Sequence, residues 1–249
     1  MEDKPIARVF DKLIYPSDVL PIKEVLDRYH AQLSPDKFIE WENKYRMNAL
    51  ESLIYLELQN KFLEKTNMNP TDEEIQSHID FSAKADKERM GIFEAQRNDV
   101  LTQLGSPGLT DAERKPLNDH LKILDQLIDT QKQRKEEEKS IPNYDEIKMK
   151  SLKNVASSMV KTWKFNTALY NAYGGRVIFQ QFGWEPIDAY KMFLDEHKEA
   201  KTFEVFDPSF DQIFNDMYNY FEMGHSYMTK ENADKYFSKP WWDPTFEPL

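Results

Sequence analysis

Helix-start signals divide most of this chain into long stretches with few interruptions. Pro35 follows a serine, which pairs an N-cap residue with a first-turn proline. Thr71 with Glu74 and Thr110 with Glu113 each have the spacing of a capping box. Apolar residues recur at helical spacing after each signal, and the chain has only 7 glycines in 249 residues. The sequence therefore predicts a mainly α fold of long helices.

The long helices differ in how much of their surface is apolar. The helix that starts at Pro35 is predicted to reach Lys65, and residues 47–63 are apolar on nearly every face, which predicts a buried central helix. Residues 91–142 contain a glycine break followed by leucines at coiled-coil-like spacing, and they predict a projecting helical arm. Another long helix is predicted after Asn143.

A few short segments favour strands. Residues 6–10 and 13–15 predict a small hairpin, although its turn lacks glycine. Residues 202–206 alternate between apolar and polar side chains, as a half-buried strand does. Residues 176–181 fit either a strand or a helical turn. We therefore expect a small hairpin or sheet beside the helices.

Charge and composition exclude several classes of function. The net charge of −11 argues against nucleic-acid binding, which requires clustered lysine and arginine. The chain has no cysteine, so disulfides, thiolate nucleophiles and cysteine zinc sites are excluded. We expect no membrane span, because no apolar run approaches about 18 residues. The first residues lead directly into a strand-like segment, as in an exported domain whose signal peptide has been removed.

Sequence motifs of catalysis are missing. The five histidines are scattered, and His197 lies on an apolar stripe, which favours a hydrogen-bonded, half-buried side chain. Glycine-rich phosphate loops and serine nucleophile elbows do not occur. We therefore predict no catalytic residues, no cofactor and no metal site. A site assembled from distant carboxylates is the remaining enzyme hypothesis, with Arg176 acting beside Glu185 or Asp188.

Residues 170–188 have an unusual composition of glycines, adjacent glutamines, one arginine and several aromatic residues. One interpretation is a peptide-binding groove, in which aromatic rings offer apolar area and glutamine amides hydrogen-bond an extended backbone. The candidate peptide-binding residues are Tyr173, Arg176, Phe179, Gln180, Gln181, Phe182 and Trp184. The alternative is a structural corner, where glycines permit tight turns and the aromatic rings belong to the core.

The C-terminal pair Trp241-Trp242 stands between prolines. A chain terminus with two adjacent tryptophans needs a surface to dock on. We expect this segment either to fold back over the core of its own chain or to contact a partner.

Residues 6–80 resemble the N-terminal region of SurA-like periplasmic chaperones. An opening strand at residues 7–10 is followed by a turn and a Ser17-Asp18 helix entry, then by a buried helix around residues 49–58. Residues 69–75 are similar to the family's junction into its next helix. The resemblance implies that a strand from much later in the chain completes the N-terminal hairpin. Val205-Phe206 or residues 177–179 are the candidates.

The resemblance also implies a function. SurA-like modules shield unfolded or extended polypeptides, including outer-membrane proteins, in the periplasm without ATP. Many relatives carry a parvulin-type prolyl isomerase domain, and its sequence signature does not occur here, so isomerase activity is not expected. We expect a SurA-N-like helical part (residues 1–90), the projecting arm (91–142) and a C-terminal helical part that completes the same core (143–249). A structural protein that dimerises through its arms is a further alternative.

Overall fold

The structure is a computed structural model that describes residues 4–180, 183–210, 212–214 and 227–247. Within them the fold is mainly α-helical with two small antiparallel sheets, which confirms the predicted fold class. The helices are α1 (Lys23–Gln32), α2 (Pro35–Lys65), α3 (Asp72–Leu104), α4 (Asp111–Ser140), α5 (Tyr144–Tyr173), α6 (Ile187–Glu199) and α7 (Lys230–Ser238). The strands are β1 (Ala7–Val9), β2 (Lys12–Ile14), β3 (Val177–Gln180), β4 (Gly183–Pro186) and β5 (Phe203–Val205).

Three long helices begin where the sequence signals place them. Pro35 occupies the first turn of α2. The backbone N–H of Glu74 donates to the hydroxyl of Thr71 at 3.2 Å, and the Glu74 carboxylate accepts from the Thr71 N–H at 2.8 Å. Thr110 and Glu113 form the same reciprocal pair at the start of α4. These contacts satisfy backbone donors that a helix start leaves free, so the starts of α3 and α4 are fixed locally.

Residues 47–63 of helix α2 are largely buried. Leu50, Ile54 and Leu58 are fully buried, whereas Leu56 is 50% exposed. Residues four apart lie on the same side of a helix, and Leu56 lies between two of them on the other side. Gln59 and Leu63, on the side of the helix away from Leu50, are buried as well, so the predicted buried central helix is confirmed, with Leu56 as an exposed position.

The N-terminal hairpin belongs to a three-stranded sheet of order β2–β1–β5. β1 pairs antiparallel with β2, and Ala7 on its other side faces Val205 of β5. Phe10 has a φ of 50°, so this residue adopts the left-handed conformation that a tight primed turn requires without glycine. The predicted hairpin is confirmed. Of the two candidates for the late strand, the segment at Val205 completes the sheet.

Strands β3 and β4 form a separate hairpin, which resolves the open choice at residues 176–181 in favour of a strand for its described part. The hairpin follows Gly174 and Gly175, whose φ values of 65° and 94° end α5 in the left-handed region. A Cβ on Gly175 would lie 2.5 Å from the Cβ of Asp188. Glycine at position 175 therefore permits the close approach of this corner to α6.

The described chain divides into two compact units, Met1–Asn69 with Lys161–Ser238 and Pro70–Val160 with Lys239–Pro248. This division differs from the three predicted parts, and the boundary predicted at residue 90 lies inside α3, which continues to Leu104. The predicted arm is part of a helical hairpin that starts at Asp72. Its projection from the core stays a prediction.

The first unit has an apolar core formed by α2, the end of α5, α6 and the three-stranded sheet. Phe165 is fully buried at its centre and contacts Phe62 and Phe193 edge-on, with ring centroids 5.4 and 5.3 Å apart. Edge-to-face pairs of this kind add to the stabilisation from apolar burial.

The second unit is a helical hairpin of α3 and α4 with the first half of α5 and the C-terminal segment. The Arg97 guanidinium donates to Asp125 at 2.6 Å across the hairpin, and Arg114 donates to the Leu104 carbonyl at 3.1 Å. Val100, Leu124 and Ile128 are among its buried apolar residues. Glu138 of α4 binds Lys148 of α5 at 3.3 Å.

Candidate functional site

The C-terminal segment folds into a compact turn. The Asp243 N–H donates to the Pro240 carbonyl at 2.9 Å, and the Phe246 N–H donates to the Asp243 carbonyl at the same distance. The Asp243 carboxylate accepts hydrogen bonds from the backbone N–H and the hydroxyl of Thr245 at 2.7 and 2.6 Å. An aspartate that bonds the backbone two residues ahead is a common turn stabiliser. This turn presents the aromatic side chains of the segment to one side of α3.

The two terminal tryptophans dock on α3. Trp242 is buried with 3% of its surface exposed, and the His78 ring lies edge-on to both indoles at centroid distances of 5.2 Å. Phe81 contacts Trp241 at 5.2 Å. The segment therefore docks on its own chain, which was one of the two expectations for it.

The docked tryptophans place His78 where burial disfavours its protonated form. Its ring is 5% exposed, and burial lowers its pKa below the ordinary histidine value. Its Nε2 has no hydrogen-bond partner within the described part of the chain. Because a buried cation without a partner is costly, the docked segment favours the uncharged ring.

A groove of about 870 Å³ lies between α3 residues 73–88 and C-terminal residues 241–246, and we call it the tail groove. Ser77, Phe81 and Ala85 follow one another at four-residue spacing along its α3 wall. The opposite wall carries Trp241 and Phe246 among other residues. Its lining is predominantly apolar, and it is open to solvent. Its volume is in the range of sites that bind ligands of substantial size.

Carboxylates surround the tail groove. Glu73, Asp80, Glu88 and Asp243 all line it. Gln76 donates to the Asp80 carboxylate at 2.8 Å. Lys84 lies 3.8 Å from Glu88.

A second, smaller cleft lies between α3, α4 and α5 and has a volume of about 460 Å³. Charged side chains crowd it, and several pair with one another. Arg134 binds Glu138 at 2.9 Å, and Arg89 lies 3.6 Å from Asp86. These pairs resemble the solvated charges of a helix surface more than an apolar binding site.

The residues predicted to bind peptides are only partly brought together. Phe179 and Trp184 face one another across β3 and β4 with ring centroids 5.2 Å apart, and Phe179 is 66% exposed. Gln180 pairs with Gly183 at the end of the hairpin. Gln181 and Phe182 lie outside the described residues. Peptide binding by this set stays a prediction.

Two polar members of the predicted set, Arg176 and Tyr173, have partners within the chain. The Arg176 guanidinium donates to both carboxylate oxygens of Asp188, at 2.7 to 3.0 Å, and also to the Tyr227 hydroxyl at 3.2 Å. This pairing raises the pKa of Arg176 and holds the pKa of Asp188 below its usual range. The Tyr173 hydroxyl donates to Glu196 at 2.7 Å. These contacts link the end of α5 and the residues after it to α6.

The backbone edge of β3 is also partly covered. Ile178 forms a β-bridge with Tyr227, and the Met228 N–H donates to the Val177 carbonyl at 2.9 Å. A peptide that added itself to β3 as a further strand would have to displace these contacts.

Glu185 on β4 belongs to a half-buried polar cluster. Burial raises the pKa of Glu185 to about 7, and burial, with a smaller contribution from Glu185, raises the pKa values of Tyr55 and Tyr190. Tyr190 donates to Asn166 at 2.6 Å, and the Asn166 amide donates to the Trp184 carbonyl at 3.5 Å. A carboxyl that titrates near neutral pH can transfer protons. Of the two carboxylates proposed to act beside Arg176, the structure pairs Asp188 with it.

His197 is a structural histidine, as the sequence predicts. Its Nδ1 lies 3.1 Å from the Thr202 hydroxyl, and burial lowers its pKa. Phe193 packs edge-on against the ring at a centroid distance of 4.5 Å.

The residues of the α3 wall of the tail groove were not predicted as site residues from the sequence. The apolar residues that recur at helical spacing along α3 are Ile75, Ile79, Ala83, Met90 and Phe93. Ser77, Phe81 and Ala85 lie on a neighbouring face with a single large apolar side chain, so periodicity gave little signal there. The tryptophan pair was the only sign of the opposite wall.

Comparison with known proteins identifies no relative: no family model matches the chain, and neither a curated protein nor a solved structure matches it. None of the helices in the described residues combines the length and apolarity needed to cross a membrane. Those residues also contain no group of three or more histidine, aspartate or glutamate side chains placed to hold a metal ion.

Proposed function

We propose that this chain is an ATP-independent chaperone of the periplasm that binds unfolded or extended polypeptides in the tail groove. The groove carries the proposal. An exposed apolar surface with a polar rim is typical of a site that receives another polypeptide. Phe81, Trp241 and Phe246 supply aromatic surface for apolar side chains of a client.

The shape of the groove favours a segment of an extended polypeptide over a small-molecule substrate. Its α3 wall extends over residues 73–88, which corresponds to about 22 Å at 1.5 Å per residue. Because the groove is open to solvent, a segment of a long polypeptide can lie in it without its ends being enclosed. A site for chemistry on a small molecule usually encloses most of the ligand surface.

The topology of the first unit supports the same proposal. The resemblance to SurA-like chaperones predicts an N-terminal hairpin completed by a strand from late in the chain. β5 pairs with β1 in this way, with Arg8 facing Glu204. Their side chains also form an ion pair at 2.8 Å.

The net charge of −11 suits a protein that must keep a client in solution. A complex that carries a large net charge repels its copies and so resists association.

Suppression of aggregation tests the proposal. An unfolded outer-membrane protein is diluted from denaturant with a stoichiometric amount of the chain, and light scattering is followed. We expect the wild type to suppress scattering and Ala85→Trp to lose most of this effect, because an indole at position 85 fills the groove. Ala95→Trp is the matched control, since Ala95 is exposed on the same helix and does not line the groove.

Two results would contradict the proposal. One is a wild-type chain that neither suppresses aggregation nor binds peptides. The other is an Ala85→Trp variant that is folded by circular dichroism and as active as the Ala95→Trp control, which would remove the groove from the function.

A further inference from the structure

The rim of the tail groove carries four carboxylates and one ammonium group. Glu73, Asp80 and Glu88 come from α3, and Asp243 comes from the C-terminal turn. The single cation, Lys84, is paired with Glu88 at 3.8 Å. The groove therefore combines an apolar lining with an excess of negative charge on its α3 wall, whereas Asp243 on the C-terminal wall lies within reach of the Lys239 charge.

Local hydrogen bonds favour the ionised form of two rim carboxylates, Asp243 and Glu73. Hydrogen bonds from Thr245 hold the pKa of Asp243 below its usual range, and a backbone hydrogen bond has the same effect on Glu73. Both lie at turns or helix starts that already fix their positions. These two groups therefore stay ionised at neutral pH.

We propose that the tail groove selects apolar or aromatic polypeptide segments flanked by lysine or arginine, and that it disfavours segments flanked by acidic residues. This selectivity rests on the proposed function. Apolar side chains bury area against Phe81 and Trp241, while flanking cations approach the carboxylates at the rim. Rim charges set selectivity and association rate more than they set total affinity.

The dimensions of the groove set the length of the segment. About 22 Å of groove accommodates about seven extended residues at 3.3 Å each. Glu73 and Glu88 lie near opposite ends of its α3 wall, so cations at both ends of such a segment face a carboxylate.

Three fluorescent peptides of about seven residues test the selectivity on the full chain. They share two central phenylalanines and carry lysine, serine or glutamate at both ends. By fluorescence anisotropy we expect the lysine-flanked peptide to bind roughly tenfold more tightly than the glutamate-flanked one, with the difference shrinking at high salt.

Charge-reversing substitutions on α3 test whether the carboxylates of the groove cause the peptide selectivity. Asp80→Lys/Glu88→Lys should reverse the order of the lysine- and glutamate-flanked peptides. Asp99→Lys/Glu137→Lys makes the same change in net charge at exposed positions outside the groove and should preserve the wild-type order. If the first double variant fails to fold, Asp80→Asn/Glu88→Gln should still reduce the preference.

The outcomes separate this inference from the function on which it rests. Equal binding of all three peptides would overturn the selectivity and leave polypeptide binding intact. A preference that both charge-reversed variants reverse equally would also overturn it, because net charge would then be the cause. Binding of none of the peptides to the wild type would contradict the proposed function itself.

Discussion

Glu185 is a partly buried carboxyl whose pKa lies well above the ordinary glutamate value. It lies on β4 beside Tyr190 and Tyr236, and burial raises its pKa from 4.5 to about 7. The pKa of Tyr236 is raised to about 12, mainly by burial. A carboxyl with a raised pKa is more stable protonated in the folded state than in the unfolded state. Its environment therefore opposes ionisation above neutral pH.

The pH dependence of stability follows from this raised pKa. The contribution of protonated Glu185 is fully present below pH 4.5 and is lost as the pH rises through about 7. Glu185→Gln avoids the cost of a buried charge, so we expect it to be about 1–2 kcal/mol more stable than the wild type at pH 8. The difference should shrink toward pH 5. Urea denaturation at both pH values measures it.

Glu40→Gln gives the baseline for this comparison, because Glu40 is an exposed carboxylate on α2. If the difference in stability between Glu185→Gln and Glu40→Gln were the same at pH 5 and pH 8, burial would not raise the pKa of Glu185.

At the scale of elements, the sequence predicts those features that depend on neighbouring residues, such as the starts of helices. The starts of α2, α3 and α4 depend on residues within one turn, such as Thr71 and Glu74, and these starts were predicted correctly. The pairing of β1 with β5 joins residues such as Ala7 and Val205 that are far apart in the chain. The resemblance to SurA-like chaperones implied a late strand as the partner of β1 and left two candidate segments for it.

The tail groove, like the pairing of β1 with β5, is formed by residues that are far apart in the sequence. Its walls come from α3 and from the C-terminal turn, and neither wall has a pattern that identifies the other. The tryptophan pair signalled a docking segment, but only the structure shows that His78 and Phe81 receive it. Peptide binding by the segment around Phe179 was predicted from composition, and only the structure shows which of the two candidate carboxylates, Glu185 or Asp188, pairs with Arg176.

Docking of the C-terminal segment should weaken in acid. Burial lowers the pKa of His78, so the folded state binds its proton less readily than the unfolded chain does. Stability is therefore present above the unfolded histidine pKa of about 6.5 and is lost as the pH falls below it. We expect tryptophan fluorescence of the wild type to change between pH 7 and pH 5. His78→Phe, which keeps an aromatic ring without the titration, should remove most of that change.

The control for this prediction is His30→Phe, because His30 lies on α1 in contact with Phe38 and outside the second unit. An equal fluorescence change in His78→Phe and the wild type would exclude His78 as its source.

On the scale of the whole molecule, the apolar core and the proposed binding surface belong to different units. The first unit contains the sheet and the cluster around Phe165, and the second contains the tail groove. A core of this kind stabilises the fold, whereas an exposed apolar groove stabilises nothing until it is occupied. The groove is thus the part of the molecule whose exposure calls for a function.

Site-specific photo-cross-linking tests the central claim most directly. The chain has no cysteine, so Ser77→Cys carries a single attachment point for a photoreactive probe inside the tail groove. Ala95→Cys places the same probe outside the groove on α3, and Phe179→Cys places it on the exposed aromatic pair of β3 and β4. An unfolded outer-membrane protein should cross-link strongly to the Ser77→Cys variant and weakly to the other two. Weak cross-linking of Ser77→Cys beside strong cross-linking of Ala95→Cys or Phe179→Cys would contradict the account.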